Sequence, residues 1–153
     1  LERRLNMWHT VDTQEEIELL MNNYGNFHDS CIVSVNYQSG AFVDDKMAMH
    51  FGDAEEHILS VVFHRQWALK TIELQFIGLR QCHLVGWEHN CFCDIFSAYL
   101  AFSDNLLPGN PERLIIWSDY DGFETNKIEN AICEPADTYI VANTLRWRFI
   151  DEE

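Results

Sequence analysis

Apolar residues recur along this chain with two different periods. Between residues 17 and 24 they fall at Ile17, Leu20, Met21 and Tyr24. Steps of three and four place these on one face of a helix. Thr13 offers a side-chain oxygen to an unpaired amide of the first turn, and Glu16, three residues later, completes a capping box. Glu15 and Glu16 also suit the positive end of the helix dipole. Gly25 ends the pattern, because glycine readily adopts the left-handed conformation that terminates a helix. The spacing predicts one three-turn helix lying on a sheet.

From residue 31 the period falls to two. Cys31, Val33, Val35 and Tyr37 alternate and are expected to face inward, followed by a turn at Ser39–Gly40. Residues 42–51 are expected to return as a strand, with Met47, Met49 and Phe51 in alternation, and residues 52–56 form a polar connection. Residues 58–64 read as a central strand and His64–Trp67 as a turn. Ile72, Leu74 and Phe76 mark a strand over residues 69–77, with a break at Gly78 and a further strand over 79–86. Residues 90–102 fit either a strand through Ser97 continued to Phe102, or a short helix over 96–102. A loop at 107–111 precedes a strand at 114–117. Residues 119–137 form a long acidic connection with one irregular helical turn around 128–132. The last strand spans 139–149, where Leu145, Trp147 and Phe149 alternate with Arg146 and Arg148, the pattern of a half-exposed sheet.

Many strands joined by short turns, with a single early helix, exclude a doubly wound fold, which needs crossover helices between parallel strands. The expected class is mainly β (α+β): a curved, mostly antiparallel sheet, an open barrel or two packed sheets, with one N-terminal helix. A length of 153 residues suits one domain and buries a core without metals or disulfides.

Charge changes the picture more than any motif. Twenty-five acidic residues against ten basic give a net charge of -15. The excess is even along the chain, with twelve acidic and five basic residues in the first half and thirteen and five in the second. Such a field repels nucleic acid and anionic lipid and attracts a basic protein; the alternative is that it serves solubility alone or a salt-adapted host. No oligomeric state follows from it. Asp44, Asp45, Asp53, Glu55 and Glu56 form one acidic group, and the segment from Asp119 to Asp137 another, net -5 with only Lys127 in opposition. The two are expected to meet on one face.

The cysteine count is odd, at Cys31, Cys82, Cys91, Cys93 and Cys133. Free thiols packed as small hydrophobes are the economical expectation. Leu1–Met7 carries no apolar run of the kind an export signal needs, so a reducing cytoplasm is the expected compartment.

Candidate chemistry is sparse. Cys91 and Cys93, with His89 and His83 nearby, lack the two-residue spacing of a structural zinc pair, and core packing is the simpler expectation. His28–Asp29 could orient a general base, but no nucleophile is tied to it. Asp119–Tyr–Asp–Gly lacks the ligand run of a calcium loop. No phosphate-binding loop is present, and no cofactor is expected. Five tryptophans, Trp8, Trp67, Trp87, Trp117 and Trp147, either fill a curved core or line a cleft. Candidate binding residues are Asp44, Asp45, Trp67, Trp87, Trp117, Asp119, Asp121 and Glu124.

The stretch Tyr24–Gly25–Asn26–Phe27–His28–Asp29–Ser30–Cys31–Ile32, a helix end running into a strand, turn and strand, resembles several small uncharacterised bacterial families, some of them grouped with the immunity proteins of polymorphic toxin systems. Residues 72–79 resemble the apolar-alternating strand that follows there. The resemblance covers about residues 17–80. Phe27, His28, Asp29, Phe76 and Gly78 match a structural framework, and no catalytic residue is carried over. Residues 87–94 and the acidic loop after Trp117 are not parts of the pattern. The resemblance and the charge imply a non-catalytic, protein-binding domain, an immunity-type inhibitor of a basic toxin. The alternatives are a small-ligand module with an aromatic pocket and a hydrolase-like enzyme using His28 and Asp29.

Overall fold

The computed structural model describes residues 5–86, 93–106, 109, 111–129 and 137–150. Thr13 accepts the Glu16 amide at 3.2 Å, and the Glu16 carboxylate accepts the Asp12 amide at 3.2 Å. Helix α1, Gln14–Asn23, follows. Its stripe is buried at Ile17, Leu20 and Tyr24.

The helix covers one face of a seven-stranded antiparallel sheet. Its members are β1 (His9–Val11), β2 (Ser30–Gln38), β5 (Ile58–Arg65), β6 (Thr71–His83), β7 (Tyr99–Ser103), β8 (Leu114–Ser118) and β9 (Tyr139–Phe149). The order is β2-β5-β6-β9-β8-β7, with β1 beside the far half of β9. The end strands are not paired to each other, so the sheet is open. The main core lies between α1 and the sheet and packs Tyr24, Phe27, Phe63, Phe76 and Trp117 at full burial. A second cluster, with Leu114, Ile116, Phe123, Ile128 and Val141, covers the opposite face of β8 and β9. The remainder of that outer face is mixed, with Ile58, Val62 and Ile77 beside Ser60, Glu73 and Gln75. Arg146 and Arg148 lie over the Trp8 ring at 4.2 and 4.4 Å, and Arg148 pairs with Glu73 at 2.9 Å.

Several expectations are corrected. Val33 is exposed at a bulge between Ile32 and Ser34, which puts Cys31, opposite His64, on the other face from Val35 and Tyr37. Tyr37 stands opposite the core residue Leu59 near the end of the edge strand and is still 52% exposed. Residues 42–51 are not one returning strand but a separate hairpin of β3 (Phe42–Val43) and β4 (Met49–His50). Gly78 does not break the chain. It takes φ +70 inside β6, where a side chain would lie 2.9 Å from that of Asn143, and the strand continues past it. Of the two alternatives for residues 90–102, the strand is the one found over Tyr99–Ser103. The late helical turn, α2, spans Asn126–Glu129, earlier than expected. Cys82 and Cys93 are exposed rather than packed, while Cys91 and Cys133 lie outside the described residues.

Candidate functional site

The hairpin of β3 and β4 is an apolar surface without a core. It leaves the sheet at the end of β2 and returns to β5 through a short 3-10 turn, Ala54–Glu56. Its neck is two glycines, Gly40 at φ +73 and Gly52 at φ +69. A β-carbon on Gly52 would stand 3.0 Å from the Gly40 carbonyl and 2.6 Å from the Glu56 carboxylate. Only glycine permits both the backbone conformation and this approach.

The turn is built by one side chain. Asp44 Oδ1 accepts the Lys46 and Ala48 amides, each at 2.9 Å, and Oδ2 accepts His50 Nε2–H at 2.9 Å. The His50 bond first, then the Ala48 and Lys46 amides, hold the Asp44 carboxyl below its ordinary value. His50 in turn stacks on Phe42, with ring centroids 4.6 Å apart. Asp44 is therefore committed to shaping the arm.

What the arm presents is Phe42, Val43, Met47, Met49 and Phe51, exposed at 57, 51, 83, 63 and 69%. Large apolar side chains scattered singly on a surface are ordinary, whereas a contiguous set is the mark of an interaction surface. Methionine adds a flexible, polarisable side chain that can adapt to a partner. Around these residues Asp44, Asp45, Asp53, Glu55 and Glu56 oppose Lys46 alone, net -4 over residues 39–57. Apolar and acidic side chains thus lie on one element, with the Val43–Met49 pair on one face of the hairpin and the Phe42–His50 pair on the other.

The other candidates fall elsewhere. Asp121 and Glu124 are exposed on the segment after β8. Asp119 turns partly inward and accepts the Thr138 amide at 3.0 Å. Burial pushes its carboxyl up to about 6, against the Thr138 bond and with a contribution from Asp137. Strands β5, β6 and β9 lie between β2, which leads into the early acidic group, and β8, which leads into the late one, and Glu134 of the late group lies outside the described residues. Trp117 is in the core, fully buried against Phe27 and Phe63. Trp67 caps Gly25 and lies 5.0 Å from the Arg65 guanidinium. Trp87 lies outside the described residues.

A cleft of about 520 Å³ opens beside the start of β2, lined by Asp29, Ser30, Cys31, His64, Arg65, Gln66, Cys93 and Asp94. No tryptophan lines it among the described residues. His28 donates Nδ1–H to the Phe96 carbonyl at 2.7 Å, and its Nε2 faces Asp29 at 3.3 Å. The Nδ1 bond ties the helix end to the segment around Phe96, and the contact with Asp29 is an ion pair only when the ring is protonated. His89 and Cys91 lie outside the described residues, and among those described no three His, Cys, Asp or Glu side chains converge as metal ligands. No described helix is long and apolar enough to cross a membrane.

Comparison with protein-family models, curated proteins and solved structures finds no match to the chain.

Residues 42–51 carried a signal against a strand. Asp44-Asp45-Lys46 interrupts the apolar run with turn formers, and Gly40 and Gly52 bracket it.

Proposed function

We propose that the chain is a non-catalytic protein-binding domain whose partner is a basic protein, acting as an immunity-type inhibitor of a basic toxin. The observation that supports this reading is the β3–β4 arm, which carries five exposed apolar side chains on a segment of net charge -4. The net charge of -15 accelerates encounter with a basic partner and disfavours acidic ones. The apolar side chains, desolvated on docking, supply most of the affinity, because such central anchors dominate interface energetics. The immunity-type role rests on the resemblance at residues 24–32 and 72–79.

The test is kinetic. With the purified basic partner, association slows at least about tenfold between roughly 50 and 300 mM salt while dissociation changes little. One equivalent of the chain also abolishes the partner's own activity. An association rate independent of salt contradicts the basic partner. Tight binding that leaves the partner's activity intact contradicts the inhibitor role.

A further inference from the structure

Among the described residues the sheet ends at β2, and that edge is open. Among the described residues β2 pairs along its length only with β5, apart from a bridge between Ser30 and Ile95 at its start. Which backbone groups face outward follows from the alternation of an antiparallel ladder. The Arg65 amide donates to the Lys70 carbonyl at 3.0 Å, so Arg65, Phe63, Val61 and Leu59 turn their amides toward β6. His64, Val62, Ser60 and Ile58 turn theirs toward β2, opposite Cys31, Ser34, Asn36 and Gln38. The amides and carbonyls of Ile32, Val35 and Tyr37 therefore point away from the sheet. The Ile95 amide, bonded to the Ser30 carbonyl at 2.7 Å, already uses the same outward series.

Exposed edges are ordinarily guarded by lysine, proline or a bulge, because their unpaired groups recruit other strands. The nine residues of β2, Ser-Cys-Ile-Val-Ser-Val-Asn-Tyr-Gln, contain no charge and no proline. This stands out in a chain with 35 charged residues, the 10 basic and 25 acidic together. The bulge at Val33 is the one guard, and it leaves Ser34–Gln38 regular. Carboxylates stand at both ends instead: Asp29 before the strand, and Asp53, Glu55 and Glu56 beyond it. A second copy pairing antiparallel would bring these like charges together. A basic strand would be neutralised by them, and it would run into the arm at the same end.

We propose that β2 receives an extended, basic segment of the partner as an added strand. This rests on the reading of the domain as a binder of a basic protein and names how it is gripped. Backbone bonds to the outward series fix the segment, and the acidic ends fix its charge.

The probe is a synthetic peptide alternating lysine with valine and matching the nine residues of β2. Its control carries N-methyl groups at alternate residues, so one edge cannot donate. The unmodified peptide binds at least about tenfold tighter, since several backbone bonds are lost in the control. Its binding slows amide exchange at Val35 and Tyr37 by a similar factor. Tyr37→Pro weakens it equally and leaves the fold intact, because that amide is not spent on β5. Equal affinity of the two peptides, binding by neither, or unchanged exchange at Val35 and Tyr37 overturns strand addition. Self-association that Tyr37→Pro abolishes, measured by sedimentation without peptide, also overturns it by giving the edge to a second copy. Loss of full-length partner binding on Phe42→Ala with Met49→Ala reports on the arm alone, so the functional reading can stand or fall separately.

Discussion

Val43 and Met49 stand directly opposite each other across the hairpin ladder, and each leaves over half of its surface to solvent, 51% and 63%. Opposed side chains of this kind normally stabilise a sheet by packing into a core. Among the described residues no core cluster includes them. Removing them should cost little: Val43→Ala with Met49→Ala shifts global stability by under about 0.5 kcal/mol, as for other exposed positions. The same pair lowers affinity for the basic partner by over about tenfold, as for an interface anchor. Thermal melting and titration with the partner check both halves.

Asp44 sets the pH behaviour of the arm. Its folded-state carboxyl is held below the ordinary 3.8. Its contribution is therefore present above 3.8 and lost as pH falls through the lower folded value. Amide exchange at Lys46 and Ala48 should stay slow near neutrality and rise sharply only below that window, before the main sheet opens. Asp44→Ala should raise it at every pH and leave the melting temperature nearly unchanged.

Asp119 has the opposite sign. Its folded carboxyl is raised to about 6 from 3.8. The folded state thus holds the proton more tightly than the unfolded one. The stability linked to that proton is full below 3.8 and is lost as pH rises through about 6. Asp119→Asn keeps an oxygen for the Thr138 amide and removes the charge. Discounted for solvent screening, it should stabilise the protein at pH 7.5 by on the order of 1 kcal/mol, or about 3 °C in melting temperature. The difference from wild type should vanish near pH 4.

Arg65 is 8% exposed and donates to the carbonyls of Asn23, Ala68 and Leu69 at 2.7 to 3.1 Å. Its guanidinium also lies 4.6 Å from the Tyr24 ring. It locks the end of α1 to the β5–β6 turn. Arg65→Ala strands these carbonyls and opens a void, at a cost of roughly 2 to 4 kcal/mol in denaturant unfolding. Arg65→Lys should recover less than half, because an ammonium cannot reproduce the planar fork.

The helix and the long strands were legible because each follows one period over many residues. Thr13 with Glu16, and Leu145, Trp147 and Phe149 against Arg146 and Arg148, needed nothing from elsewhere in the fold. The arm was misread because period two reports alternation, not burial. Met47, Met49 and Phe51 alternate as core residues do, and the signal that set them apart was the run of turn formers Asp44-Asp45-Lys46 between Gly40 and Gly52. The bulge at Val33 has no sequence marker of the same strength, since it is decided by how β2 meets β5. Whether the acidic groups share one surface was not legible, because sequence distance says nothing about which strands lie between. Trp117 and Trp67 have the same chemistry in sequence, yet one fills the core and the other covers Gly25.

The central claim is that the arm touches a basic protein. It is tested most directly by a photoreactive phenylalanine analogue at position 47, where Met47 is 83% exposed, with position 84 as the control, where Leu84 is 55% exposed outside the arm. Irradiation in native cells should yield one prominent covalent adduct from position 47, whose attached protein has a net positive charge by mass-spectrometric identification. That adduct should disappear when Val43→Ala and Met49→Ala are added. No adduct at position 47, the same adduct in equal yield from position 84, or an acidic protein in the adduct would contradict the account.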